Sequence, residues 1–78
     1  MKSQKPAPIY RRRIGYIIRA RRDRIGVSQE RLAEFTERHR NYIGLVERGE
    51  QNVTIDSLVR IARALKCKVS DIIRDAGL

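Results

Sequence analysis

The sequence predicts an all-α domain of five short helices with a helix-turn-helix at its centre. Three observations carry that expectation. Apolar residues recur at helical spacing almost throughout the 78 residues, with no alternating run of the strand type. Gly26, Gly49 and Gly77 stand where three of these runs stop, as glycine does after a helix. Two short amphipathic stretches, 28–36 and 40–48, lie only a few residues apart, the layout of two helices joined by a tight turn.

Met1 to Pro8 contains two prolines and no apolar periodicity and reads as a disordered arm. Ile9, Tyr10 and the triplet Arg11, Arg12 and Arg13 lead into the first helix, so the expected division is a flexible basic arm over 1–12 and a helix-turn-helix domain over 13–78. The first helix has Ile14, Ile17 or Ile18, and Ile25 as inward positions, with Arg19, Arg21, Arg22 and Arg24 crowding the rest. A helix this basic repels itself, so packing or an anionic ligand must offset the cost. The second runs from Gln29 to about Thr36, with Ser28 as N-cap and Leu32 and Phe35 turned inward. Its first turn carries Glu30, which suits the helix dipole, and its free N–H groups form a ready anion site.

In the third helix, Ile43, Val46 and Glu47 share one side, while Asn41, Gly44, Leu45 and Arg48 share another. One face belongs to a core and the other is bare, with Arg40 and Asn41 at the N-terminal end that a helix in a DNA major groove presents to base edges. Thr54 caps the fourth helix, whose apolar series is Ile55, Leu58, Ile61, Ala62 and Leu65. Lys66-Cys67-Lys68 connects it to a fifth, with Val69, Ile72 and Ile73 apolar.

The formal charge of +9 is unevenly spread: residues 1–24 hold nine Lys or Arg against Asp23 alone, and the remainder nearly balances. Fourteen of the eighteen basic residues are Arg, which forks onto phosphate and guanine better than Lys does. Nucleic acid is the natural acidic partner for such a segment; a solubilising tail is the bland alternative. Arg11, Arg12 and Arg13 are candidates for a minor-groove or phosphate-tracking arm on charge alone.

Cys67, the only cysteine, reads as a small core hydrophobe, and one His with one Cys cannot complete a four-ligand metal site. No paired carboxylates, nucleophile set or phosphate-cradling glycine loop points to an enzyme, a cofactor or a small-molecule ligand. There is no twenty-residue apolar run and no apolar leader, so the expectation is a cytoplasmic chain without a membrane partner.

Three linked motifs, Gly26-Val27-Ser28-Gln29-Glu30-Arg31-Leu32-Ala33, then Tyr42-Ile43 with Val46-Glu47-Arg48-Gly49-Glu50, then Leu58-Val59-Arg60-Ile61-Ala62-Arg63-Ala64-Leu65, resemble the phage-repressor-type helix-turn-helix family. The likeness covers roughly residues 14–76. His39-Arg40-Asn41-Tyr42-Ile43-Gly44 and Glu50-Gln51-Asn52-Val53-Thr54 are most similar to the small controller regulators of restriction-modification systems. The resemblance implies a compact five-helix repressor-like domain acting as a homodimer on a palindromic operator. It implies that Gln29 contacts phosphate and braces the third helix, that Arg40 and Asn41 reach base edges, and that Tyr42 and Leu45 touch backbone or thymine methyls. Asn52 and Thr54 would meet the flanking phosphate, His39 lies near phosphate at the helix start, and Arg48 completes the bare face. Arg22 and Glu47 match a partly buried ion pair tying the first helix to the third.

Two departures from the family pattern stand out. Glu37, Arg38 and His39 occupy the turn where Gly, a small apolar residue and a small cap are usual, and Lys66 replaces Gly after the fourth helix. Glu37 would need left-handed backbone, costing ~1 kcal/mol relative to Gly. The functional expectation is a sequence-specific transcriptional regulator. Its rivals are an antitoxin that binds a toxin partner and autoregulates, and a non-specific binder working through its Arg-rich segment. Ile72, Ile73 and Leu78 are candidates for contact with a second subunit.

Overall fold

The computed structural model describes residues 6–78, which form α1 (Ile9–Arg24), α2 (Gln29–Thr36), α3 (Arg40–Glu47), α4 (Ile55–Ala64) and α5 (Val69–Asp75). The number and order of helices are those expected from the periodicity, and no strand occurs among the described residues. Helix α2 packs on α3 and α4, α1 packs on α3 and α5, and α4 packs on α5. The radius of gyration is 12.1 Å, close to the ~11.5 Å of a compact domain of this length. No helix among the described residues is long and apolar enough to cross a membrane.

The core joins Ile18, Leu32, Ala33, Ile43, Val46, Leu58, Ile61, Ala62, Leu65 and Ile72, so every helix contributes to one cluster. Three positions expected inside are instead exposed. Phe35 is 54% exposed because the buried stripe of α2 is Leu32, Ala33 and Thr36, and at 100° per residue Phe35 lies roughly 100° from its centre. Ile25 falls past the end of α1, and Ile55 stands at the edge of the α4 stripe, whose inner side is filled by Ser57 and Leu58. Ile72 is completely buried, so it is a core residue and not available to a second subunit. Cys67 is half-buried against the core, and this burial pushes its thiol up, away from thiolate reactivity.

The expected boundary of the arm at residue 12 is displaced. Residues 1–5 lie outside the described residues, but Ile9 to Arg12 form the first turn of α1, closed by Arg11 and Arg12 N–H groups donating to the Pro8 carbonyl. Part of the charge of α1 is met by carboxylates: Arg22 pairs with Glu47 of α3, Arg21 with Asp75 of α5, and Arg19 with Asp23.

All five helices end the same way. A residue with positive φ follows each, Gly26, Glu37, Gly49, Lys66 and Gly77, and the next N–H reaches back to a carbonyl five residues earlier. Glu37 (φ 56°) and Lys66 (φ 62°) do this with a side chain. At Glu37 the strained backbone is held by Arg60, whose Nη1 donates to Glu37 Oε1 at 3.1 Å and to the Thr36 carbonyl at 3.4 Å.

Gly15 decides how closely α1 meets α3. A Cβ there would lie 2.3 Å from the Val46 carbonyl oxygen and 2.6 Å from that of Glu47, both backbone atoms that cannot swing aside. Ala is the better helix former by about 1 kcal/mol, yet overpacking costs of about 1 to 3 kcal/mol or more oppose it. Gly15→Ala is therefore expected to lower the urea midpoint, and a raised midpoint would contradict the close approach.

Candidate nucleic-acid interface

Helix α3 begins where the turn forces it to. Arg38 in the turn donates from Nη2 to Ser57 Oγ of α4 at 2.8 Å and lies over the Tyr42 ring, 5.6 Å from its centroid. His39 then caps α3: its Nδ1 accepts from the Asn41 N–H at 3.1 Å. Because Nδ1 is the acceptor, the ring hydrogen sits on Nε2 and points a donor outward. The small cap usual in the family is thus replaced by an imidazole that does the same work.

From the core side α3 is fixed by a buried cluster of polar groups. Arg22 donates from Nε and Nη2 to the two Glu47 oxygens at 2.6 and 3.0 Å, and from Nη1 to the Val27 carbonyl at 2.9 Å. Both side chains are about nine-tenths buried. Hydrogen bonding to Glu47 raises the Arg22 guanidinium above its already high ordinary value. Gln29, the first residue of α2, donates from Nε2 to Glu47 Oε1 at 3.0 Å. One carboxylate therefore ties α1, the start of α2 and the end of α3 together.

On the opposite side, Arg40, Asn41 and Arg48 are exposed, and Tyr42 and Leu45 are half-buried. Gly44 lies between them, and its missing side chain leaves room for two neighbours: a Cβ there would meet Arg48 Nη1 at 3.4 Å and Gln29 Oε1 at 3.8 Å. These are flexible tips rather than backbone. Gly44→Ala is accordingly expected to leave the fold intact or stabilise it by up to ~1 kcal/mol; a melting temperature well below the parent's would contradict this.

Asn52 is exposed in the loop after α3, and Thr54 caps α4 by accepting from the Ser57 N–H at 3.1 Å. The hydroxyl hydrogen of Thr54 remains free to donate. Gln29, His39, Arg40, Asn41, Tyr42, Leu45 and Arg48 are brought together around α3, and Asn52 and Thr54 follow along the chain. Arg11, Arg12 and Arg13 are not brought to the N-terminal end of α3. Arg12 packs against Gly49 at its other end, where a Gly49 Cβ would lie 2.9 Å from Arg12 Cα, and Arg13 approaches Gly77 after α5. Two supports escaped the sequence reading, Gly15 and the Arg38–Ser57 bond; both depend on which helices meet, which no local pattern encodes. No group of three or more metal-ligating side chains occurs among the described residues.

Residues 18–72 match the helix-turn-helix family model. The control protein C.SmaI of Serratia marcescens is 44% identical over 61 residues, covering 78% of this chain and 73% of that protein. The clp gene regulator ClgR of Corynebacterium glutamicum superposes with a TM-score of 0.87 at 30% identity, over 95% of each chain. The restriction-modification controller protein C.Esp1396I superposes with a TM-score of 0.80 at 27% identity, over 91% of this chain and 95% of that one. A mutant of it bound to its highest-affinity operator site OM gives 0.77 at 25% identity, over 91% and 99%.

Proposed function

From the premise that the chain belongs to the helix-turn-helix family of DNA-binding transcription regulators, we propose that it is a sequence-specific, non-enzymatic controller that acts as a homodimer on a palindromic operator. The observation that carries this reading is the two-sided α3: Glu47 is clamped in the interior while Arg40 and Asn41 are exposed at the N-terminal end. In this reading Arg40 forks onto guanine O6 and N7, and Asn41 onto adenine N6 and N7. Gln29, His39 Nε2, Tyr42, Arg48, Asn52 and Thr54 anchor to phosphates around them, and Leu45 meets a thymine methyl. The operator complex of C.Esp1396I, a protein of the same fold, supports the choice of duplex DNA as partner.

A domain of this size covers too little DNA to define a unique site alone, which argues for two copies. Tyr10 and Ile55, 47% and 69% exposed, line one cleft with Ile14, Val53 and Ile73, an apolar surface that suits a second copy. Arg11, which lines the same cleft, has a buried Nε without a partner. A chain with a chromosomal or plasmid target works in the cytoplasm.

Selection of bound duplexes from a random library at moderate salt tests the proposal. A consensus of two inverted half-sites about one helical turn apart is the expected result. Binding without a consensus would favour the non-specific reading, and a tight complex with a neighbouring gene's product, with weak DNA binding, would favour the antitoxin.

A further inference from the structure

We propose that Glu30 is a positioning residue that sets the ratio of operator binding to random-DNA binding by occupying one edge of the Arg40 guanidinium; this rests on the base-reading role given above to Arg40. Glu30 Oε2 lies 3.8 Å from Arg40 Nε, joining the first turn of α2 to the first residue of α3. The other exposed arginine of this face repeats the arrangement: Glu50 Oε1 lies 3.4 Å from Arg48 Nε. In both pairs the carboxylate is at Nε, and neither makes a contact within the same helix.

The choice of nitrogen matters. A guanidinium presents two edges to a partner. The end-on edge, Nη1 with Nη2, matches the paired acceptors of guanine, while a side-on edge includes Nε. With its carboxylate nearest Nε, Glu30 stands beside the side-on edge and competes with any anion that approaches there. A phosphate of random DNA that engages Arg40 from the side must displace that carboxylate, exchanging one anion for another, and also draws Glu30 towards the negatively charged backbone. A guanine edge met end-on asks for neither change.

Both side chains are largely exposed, 59% for Arg40 and 73% for Glu30, so the pair itself adds little stability. Its effect is therefore expected in the competition between duplexes rather than in folding. An acidic residue on a face otherwise suited to phosphate lowers non-specific affinity at small expense to the specific complex, which is how a repulsive element contributes to discrimination.

The test uses the full chain and its Glu30→Gln variant, which keeps the shape and removes the charge. Affinity is measured for the selected duplex and for a scrambled duplex of equal length and composition, over a range of salt. Affinity for the scrambled duplex is expected to rise about threefold to tenfold, with a salt slope steeper by about 0.9 for each Arg40 freed to take a phosphate. Affinity for the selected duplex should change by less than about twofold, an end-on contact having no need of the vacated edge. Equal gains on both duplexes, or no change on either, would overturn the proposal, since Glu30 would then be a uniform charge or a bystander. A parent chain that prefers no duplex at all would instead overturn the base-reading role of Arg40, and this proposal with it. The melting temperature of the variant should match the parent, which separates this effect from a structural one.

Discussion

Replacing Arg40 by Ala is expected to remove most of the preference for the operator while leaving binding to random DNA nearly intact. A bidentate arginine–guanine contact discriminates by about 1 to 3 kcal/mol, and a homodimer carries two, so the affinity ratio should fall by about 2 to 6 kcal/mol in all. On random DNA the same change removes at most one phosphate contact per chain. Titrations of the selected and scrambled duplexes at one salt concentration measure both quantities. Parallel losses would reduce Arg40 to a phosphate anchor and move the reading role to Asn41 or to the shape of the duplex.

The second large effect concerns the carboxylate behind the exposed face of α3. Glu47→Ala strands Arg22: Nε and Nη2 lose their acceptors, and only Nη1 keeps its contacts with the Val27 carbonyl and the nearby Asp23. Breaking a buried pair from one side costs about 3 to 5 kcal/mol, a large part of the total of about 5 to 15 kcal/mol that holds a domain folded. The variant should be near the edge of unfolding at room temperature. Replacing both partners, Arg22→Met with Glu47→Leu, should recover much of the loss because no charge is left buried. Chemical unfolding of the three variants decides the matter: a double replacement no better than the single one would show that the pair is not where the stability lies. Gln29 also loses its anchor in the double variant, so restored folding with weakened duplex binding is the expected pattern.

What could be read before the fold was known follows from how local each feature is. Helix number and order came from apolar spacing and from Ser28, Thr54 and the terminal glycines, all of which act within one turn of chain. The left-handed turn at Glu37 was legible for the same reason, because the place of a helix end limits what its next residue can do. Helix α1 starts at Ile9, four residues before the expected boundary, because its first turn is closed on the Pro8 carbonyl, a backbone contact that Arg-rich sequence does not announce. Phe35, Ile25 and Ile55 are exposed against expectation because the sequence pattern does not separate an apolar residue near a stripe from one within it. The surroundings of the site were less legible. Gly15 against two carbonyls of α3, Arg38 on Ser57 and Glu30 beside Arg40 join residues distant in sequence, and each depends on helix packing that no spacing rule specifies.

The measurement that bears most directly on the central claim is the affinity of the full chain for its selected duplex relative to a scrambled one, at physiological salt, with stoichiometry read from the same complexes. A ratio of about a thousand or more, with two chains on each duplex, is what a dimeric base reader requires. A ratio near one, with affinity collapsing as salt rises, would mean that charge alone holds the complex together and that the exposed face of α3 reads nothing.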